Sequence, residues 1–305
     1  MTRGRIRRAQ VVSPFGVGAM TVLVDGTSVI TAGLDHWYET DDVANLQLEE
    51  FKVEEWRLAR RLRVSHFRLP PDYRTPFRGG GVQPNMRLTV PVLRFPCWGF
   101  CPYCTRLQDR PLAFADRQRC PDPSHEGRSR SGKGPVMAQV PFVVICDAGH
   151  LSDFPWREWV HRSVQPACGG TLRLKSRGGG SLAGQVVRCD QCEQERPLEG
   201  VTTATRSGGE ETTILTKSLD PGREFACQGW RPWLADPGEG CGHAVRAALR
   251  GASNVYFAVV ESSIYLPRHS SSLPTELVEL LRSPEMAGKI RLLQTLDLVD
   301  VEHLR

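Results

Sequence analysis

The chain has no apolar run approaching the roughly 18 residues that cross a bilayer, and its arginine-studded start, MTRGRIRRAQ, leads into no signal-peptide core. Those absences argue against a spanning helix and a secretory leader, and they set the expectation of a cytoplasmic protein with no membrane attachment. Lysine is scarce too, found only at positions 52, 133, 175, 217 and 289, so the 39 basic residues are nearly all arginine. Arginine suits bidentate phosphate contacts, but a GC-rich genome produces the same excess, so the bias alone marks no site. Against 34 acidic residues the formal charge is +5.

What the chain does have is cysteine, ten in all, several in C-x2-C pairs. In a reducing compartment that pattern points to metal rather than disulfides. A Cys3His site holding Zn2+ carries a net charge of −1, so three such sites would bring +5 down to +2 and leave charge a weak argument for DNA. Hydrophobic residues at 40%, with 29 glycines and 22 prolines, describe a folded but loop-rich body. The expected fold class is α+β, a mixed-sheet body with inserted zinc-ribbon or zinc-knuckle modules.

Residues 1–95 read as a β-hairpin followed by a helical region. Met20 to Val24 and Ser28 to Thr31 are β-rich and flank Asp25-Gly26, a strong hairpin signal. Gly16-Val17-Gly18 reads as a turn needing positive φ, because no helix follows it to make a phosphate loop. A helix is expected from Asp42 to Val64, its arginine-rich end forming a solvated face, and then a loop over 69–81 and a strand from Leu88 to Phe95.

Residues 96–135 read as the first metal module. Cys101 and Cys104 make a knuckle, and Cys120 and His125 return to complete C-x2-C-x15-C-x4-H, with Cys97 as a surplus thiol or an alternative to His125. Gly127, Gly132 and Lys133 come close to a P-loop, but Gly134 stands where Ser or Thr should hold Mg2+, so 127–135 reads as a basic loop.

In residues 136–245, Val136 to Cys146 reads as a buried strand, followed by a helix N-capped by Ser152 or Asp153. Cys168, Cys189 and Cys192 form a second cluster around the glycine-rich tip 175–184, with His161 the preferred fourth ligand and His150 the second choice. The third set joins Cys227 and Cys241 to Cys146 and His150, with His243 competing. Trp98, Trp156, Trp159, Trp230 and Trp233 are expected to fill core around the metals rather than stack on bases. Residues 246–305 read as the end of a short helix, two strands at Val255 to Val260 and Ser262 to Leu266, and helices over 273–303 with Thr275 as N-cap and a break at Pro284. His150 with Asp153 around an open zinc would make a metal-dependent hydrolase. No nucleophile accompanies them, and thiolate-rich sets favour closed structural sites.

Five stretches together, RRAQVVSPFGVGAM, RFPCWGFCPYC, VICDAGHLSDFPWREWVH, ACQGWRPWL and RGASNVYF, resemble in that order the amino-terminal half of the DrmB family, the zinc-containing component of bacterial DISARM anti-phage systems. The resemblance implies a non-catalytic partner of the helicase-like ATPase DrmA in a complex that engages foreign DNA. It also implies that Cys101, Cys104, Cys146, His150 and Cys227 are metal ligands. Members are usually longer, with a further carboxy-terminal domain, so the resemblance points to a truncated or split member. A purely structural interaction protein that never touches DNA remains the other reading.

Overall fold

The computed structural model describes residues 7–37, 51–70, 90–112, 116–125, 134–178, 182–207, 210–234, 238–264, 280 and 283–295. Residues 71–81 of the loop expected at 69–81, residues 127–133 of the basic loop expected at 127–135, the helical start at 42–50 and the cap at Thr275 lie outside the described residues. The chain divides into two compact units, Met1–Glu54 with Ser65–Val260, and Glu55–Val64 with Glu261–Arg305. The architecture is α+β with few, short helices, and every strand pairing among the described residues is antiparallel. No helix among them is long and apolar enough to cross a membrane.

In the first unit the Asp25-Gly26 signal gives the expected hairpin. Strand Met20–Val22 pairs with Ser28–Thr31, and Val92–Arg94 adds on the far side. Gly18 takes φ +82 against the Trp233 ring, so the glycine pair makes a turn.

The run expected as one strand from Val136 to Cys146 is two. Ala138–Gln139 and Phe142–Ile145 belong to different sheets, separated at Pro141, which has no N–H to give a ladder. Phe142–Ile145 is buried at all four positions and lies between Leu151–Asp153 and Arg246–Leu249. The chain around 248 is therefore strand where the end of a helix was expected.

A six-stranded sheet runs in the order Glu195–Pro197, Gln185–Cys189, Leu172–Ser176, Arg106–Gln108, Gly99–Phe100, Ala138–Gln139. Its middle strand, Leu172–Ser176, pairs with a different hairpin on each side, Leu172 facing both Cys189 and Leu107.

The helix Trp156–His161 packs Trp156, Trp159 and Val160 into the core beside Phe142 and Phe154, with the Phe154 and Trp156 ring centres 4.7 Å apart. Pro155, not Ser152 or Asp153, is its N-cap residue. Asp153 ends a strand instead, and its carboxylate accepts from the backbone N–H groups of Cys97 at 2.8 Å and Trp98 at 3.4 Å. Burial is the largest influence on that carboxyl and raises it to about 6 despite those donors. The guanidinium of Arg196 stacks 3.6 Å over the Trp159 ring and donates to the carbonyls of Trp159, Ser218 and Leu219, satisfying acceptors at two helix ends.

Two further expectations are corrected. Lys52–Val53 is a strand paired with Phe67–Arg68, so the long helix expected to Val64 is cut to Trp56–Leu62 among the described residues. Residues 256–260 form no strand, with Phe257 75% and Val259 92% exposed. Although β-branched, the segment has no described strand beside it to supply a ladder.

In the second unit the helix Trp56–Leu62 is capped by the Glu55 side chain, which accepts from the Arg57 N–H, and Arg61 pairs with Glu261 at 2.8 Å. The helix Pro284–Thr295 begins at the proline where a break was expected, as suits a residue with no N–H to donate.

Candidate metal centres

Among the described residues the structure gathers nine cysteines and three histidines into three groups of four. Cys101, Cys104, Cys120 and His125 form one; His161, Cys168, Cys189 and Cys192 form another; Cys146, His150, Cys227 and Cys241 form the third. In each group the potential ligand atoms all lie within 4.8 Å of one another. Cys97 and His243 stand outside all three. Each group has the donor set to hold a metal ion.

The first two groups share one local device. Cys101 and Cys104 sit in the turn joining Gly99–Phe100 to Arg106–Gln108, and Cys189 and Cys192 in the turn joining Gln185–Cys189 to Glu195–Pro197. In each, the N–H of the first cysteine donates to the carbonyl five residues on, Cys101 to Arg106 at 2.9 Å and Cys189 to Gln194 at 3.0 Å. In each, the residue after the second cysteine is left-handed, Thr105 at φ 61 and Glu193 at φ 60. The turn aims both thiols and several N–H groups at one point. Burial pushes the Cys189 thiol up, but the N–H groups of Cys192 and Gln191 and the His161 ring pull it down to about 6.

The remaining ligands arrive from flanking segments. Cys120 Sγ lies 3.6 Å from Cys104 Sγ, and Cys168 Sγ 3.6 Å from Cys189 Sγ. His125 is buried, with neither ring nitrogen hydrogen-bonded. His161 Nδ1 lies 2.7 Å from the Arg157 carbonyl, to which it donates, while its buried Nε2 has no partner. A buried imidazole nitrogen without a partner costs free energy unless something electropositive faces it, and here thiols surround it.

The third group is assembled over a long range. Cys146 and His150 bound the turn between Phe142–Ile145 and Leu151–Asp153, where the Cys146 N–H donates to the His150 carbonyl. Cys227 and Cys241 meet because the Cys227 and Cys241 segments bond to each other, Cys227 N–H to the His243 carbonyl and Cys241 N–H to that of Cys227. Gly229, at φ +78, faces Gly238, and a Cβ on Gly229 would overlap the Glu239 carbonyl oxygen. His150 Nδ1 lies 3.5 Å from Cys146 Sγ and 3.6 Å from Cys227 Sγ, and Cys146 Sγ 3.9 Å from Cys241 Sγ. Burial raises the Cys227 thiol to about 12. Cys241 is pushed up by burial but drawn down to about 6 by the His243 N–H and the side chains of Cys227 and His150.

Sequence reasoning gave no role to Arg173. From the middle strand it reaches both knuckles, donating to the Cys104 carbonyl and the Asp190 carboxylate, each at 2.6 Å. Its one sequence signal is an arginine in a strand flanked by cysteine pairs, and that signal is common.

The fold and these groups define a class: an antiparallel α+β body carrying Cys3His clusters that could hold metal ions. The chain belongs to the family described as Domain of unknown function (DUF8724), which it matches over residues 7–257, a span containing all five motifs quoted above. It is also similar to the DISARM protein DrmB of Bacillus paralicheniformis, 31% identical over 191 residues, which is 60% of this chain and 29% of the relative. The chain thus spans less than a third of that relative.

Proposed function

We propose that the protein is a non-catalytic, zinc-stapled scaffold of a DISARM-type anti-phage defence complex, acting in the cytoplasm beside the helicase-like subunit DrmA and engaging DNA within that complex. The observation that carries the zinc assignment is the spacing of the ligand atoms. A tetrahedral zinc with about 2.3 Å to sulfur and about 2.0 Å to nitrogen sets sulfur atoms about 3.8 Å apart and sulfur from nitrogen about 3.5 Å. The third group has 3.9 Å between Cys146 and Cys241 sulfurs, and 3.5 and 3.6 Å from His150 Nδ1 to two thiols. Zinc would fix these loops by tying each to the sheet body, and the His161 Nε2 and the His125 ring nitrogens, which make no hydrogen bond, suit ligation.

The non-catalytic reading is supported by the ligand sets. Each holds four protein donors, three of them thiols, leaving no position for substrate. Asp153, which a hydrolase would need at the metal, is turned toward the Cys97 and Trp98 N–H groups. Buried Trp156 and Trp159 serve the core, leaving base stacking no support from them.

The test is co-expression with the helicase-like subunit, followed by affinity capture and DNA binding over a salt series. Co-capture, with log affinity for DNA falling steeply against log salt, supports the reading. Absence of co-capture would remove the partner. A flat salt response would move DNA contact to the other subunit and leave a purely structural interaction protein.

A further inference from the structure

Away from the three Cys3His groups, four arginines from four separate segments turn into one cleft of about 350 Å³ in the first unit. Arg94 ends the strand Val92–Arg94, Arg110 follows Arg106–Gln108, Arg117 lies in the segment after it, and Arg250 follows Arg246–Leu249. The opposite wall is the hairpin turn Asp25-Gly26-Thr27. Arg94 Nη1 donates to Thr27 Oγ1 at 3.4 Å, Arg250 Nη2 to the Gly26 carbonyl at 3.2 Å, and Arg117 Nη2 to Asp25 at 2.7 Å. Arg110 Nη2 donates to the Arg94 carbonyl at 2.8 Å.

Among the described residues of the lining, Asp25 is the one carboxylate beside four guanidinium groups. Arg110 also feels the charge of the buried Asp153. Burial lowers both Arg110 and Arg250, so these charges are held at a desolvation cost. Arg250 Nη1 is buried and has no hydrogen-bond partner. A buried guanidinium N–H left without an acceptor is costly, and an anion in the cleft would supply one.

We propose that this cleft binds a phosphate group, with Arg250 and Arg117 as its principal donors and Arg94 and Arg110 supplying the surrounding field. A planar guanidinium fork matches two phosphate oxygens, and the volume falls in the range of small-molecule sites, which admits a phosphate ester. The ester is either a phosphate of a nucleic-acid backbone, which would give the DNA engagement proposed above an address, or a free phosphate compound.

The experiment uses the full zinc-loaded chain, titrated with inorganic phosphate, with deoxyadenosine 5′-monophosphate and with a fluorescein-labelled single-stranded 12-mer, followed by thermal shift and anisotropy. Arg250→Gln and Arg117→Gln are compared with Arg188→Gln, a remote arginine of the six-stranded sheet. Arg117 is 56% exposed, so its variant carries little folding risk. Phosphate affinity is expected to fall roughly tenfold or more in the first two variants and to hold in the third. A parallel fall for the 12-mer assigns the site to a nucleic-acid backbone. A fall for phosphate and nucleotide alone, with the 12-mer unaffected or unbound, supports the site as one for a free phosphate ester. No phosphate response in the unaltered chain, or wild-type phosphate affinity in both variants, overturns the proposal, whatever the 12-mer does.

Discussion

The two knuckles and the Cys146 group make equivalent donor sets by opposite routes. Each knuckle is a hairpin turn that sets two thiols through local contacts, with matching hydrogen bonds and matching left-handed residues at Thr105 and Glu193. In the third group a hairpin turn sets only one thiol, Cys146, beside the His150 imidazole, and both other thiols come from far along the chain. Its ligands come from the central buried strand and from a segment some 80 to 95 positions further on, held by backbone bonds around Cys227. A site that closes a long loop constrains the unfolded chain more than one that closes a short turn, so the third site should govern the stability of the whole body.

That contrast breaks most visibly at Cys227→Ser. Loss of the third site should cost one zinc per chain and the cooperative thermal transition of the first unit, a change of several kcal/mol read by calorimetry. Cys192→Ser, at an exposed knuckle position, should also cost one zinc yet leave a cooperative transition at lower temperature. Equal damage from both would erase the distinction.

Gly229→Ala probes the third site without touching a ligand. With positive φ and the Glu239 carbonyl in the way, it should destabilise by about 2 kcal/mol or more and empty that site selectively, as measured by zinc content and denaturant midpoint. Arg173→Ala should cost about 1 to 2 kcal/mol and weaken both knuckles together, because one side chain serves both. The smallest effect has the opposite sign. Thr105→Gly relieves a β-branched residue at φ 61 and should stabilise by up to about 1 kcal/mol in urea unfolding.

Much of this was legible in the chain because short-range chemistry sets it. Asp25-Gly26 dictates its hairpin, and C-x2-C spacing dictates the two turns. The grouping of Cys146 and His150 with Cys227 and Cys241 was readable only as one option across the fold, with His243 competing, beside a family resemblance that implies three of the four; that these residues ligate zinc is a proposal. Position-specific packing was not legible. Asp153 looks like a helix cap in sequence, yet two unpaired N–H groups at Cys97 and Trp98 claim its carboxylate. The Val255 to Val260 run has strand-like residues but no neighbouring strand among those described, and propensity without a partner makes no ladder. The arginine cleft is invisible in sequence because its four members lie on four separate segments that meet only in the folded chain.

Proton uptake and release offer a milder check. Burial holds the Cys227 thiol, and likewise Cys120, at about 12, so both are protonated at neutral pH without metal, and zinc binding should expel those protons. Cys189 and Cys241, at about 6, run the other way. Depressed below the ordinary thiol value, they contribute stability that is present above about 9 and lost as pH falls through about 6. Zinc competes with protons for these thiolates, so its release is expected only as pH falls below about 6, and a zinc-sensitive dye would follow it.

The decisive measurement is elemental analysis of the chain purified without added metal, with circular dichroism before and after chelation. Three zinc ions per chain are expected, with unfolding of the first unit when they are removed. One zinc or none, with the fold unchanged by chelator, would contradict this expectation and return the cysteines to the core as ordinary buried thiols.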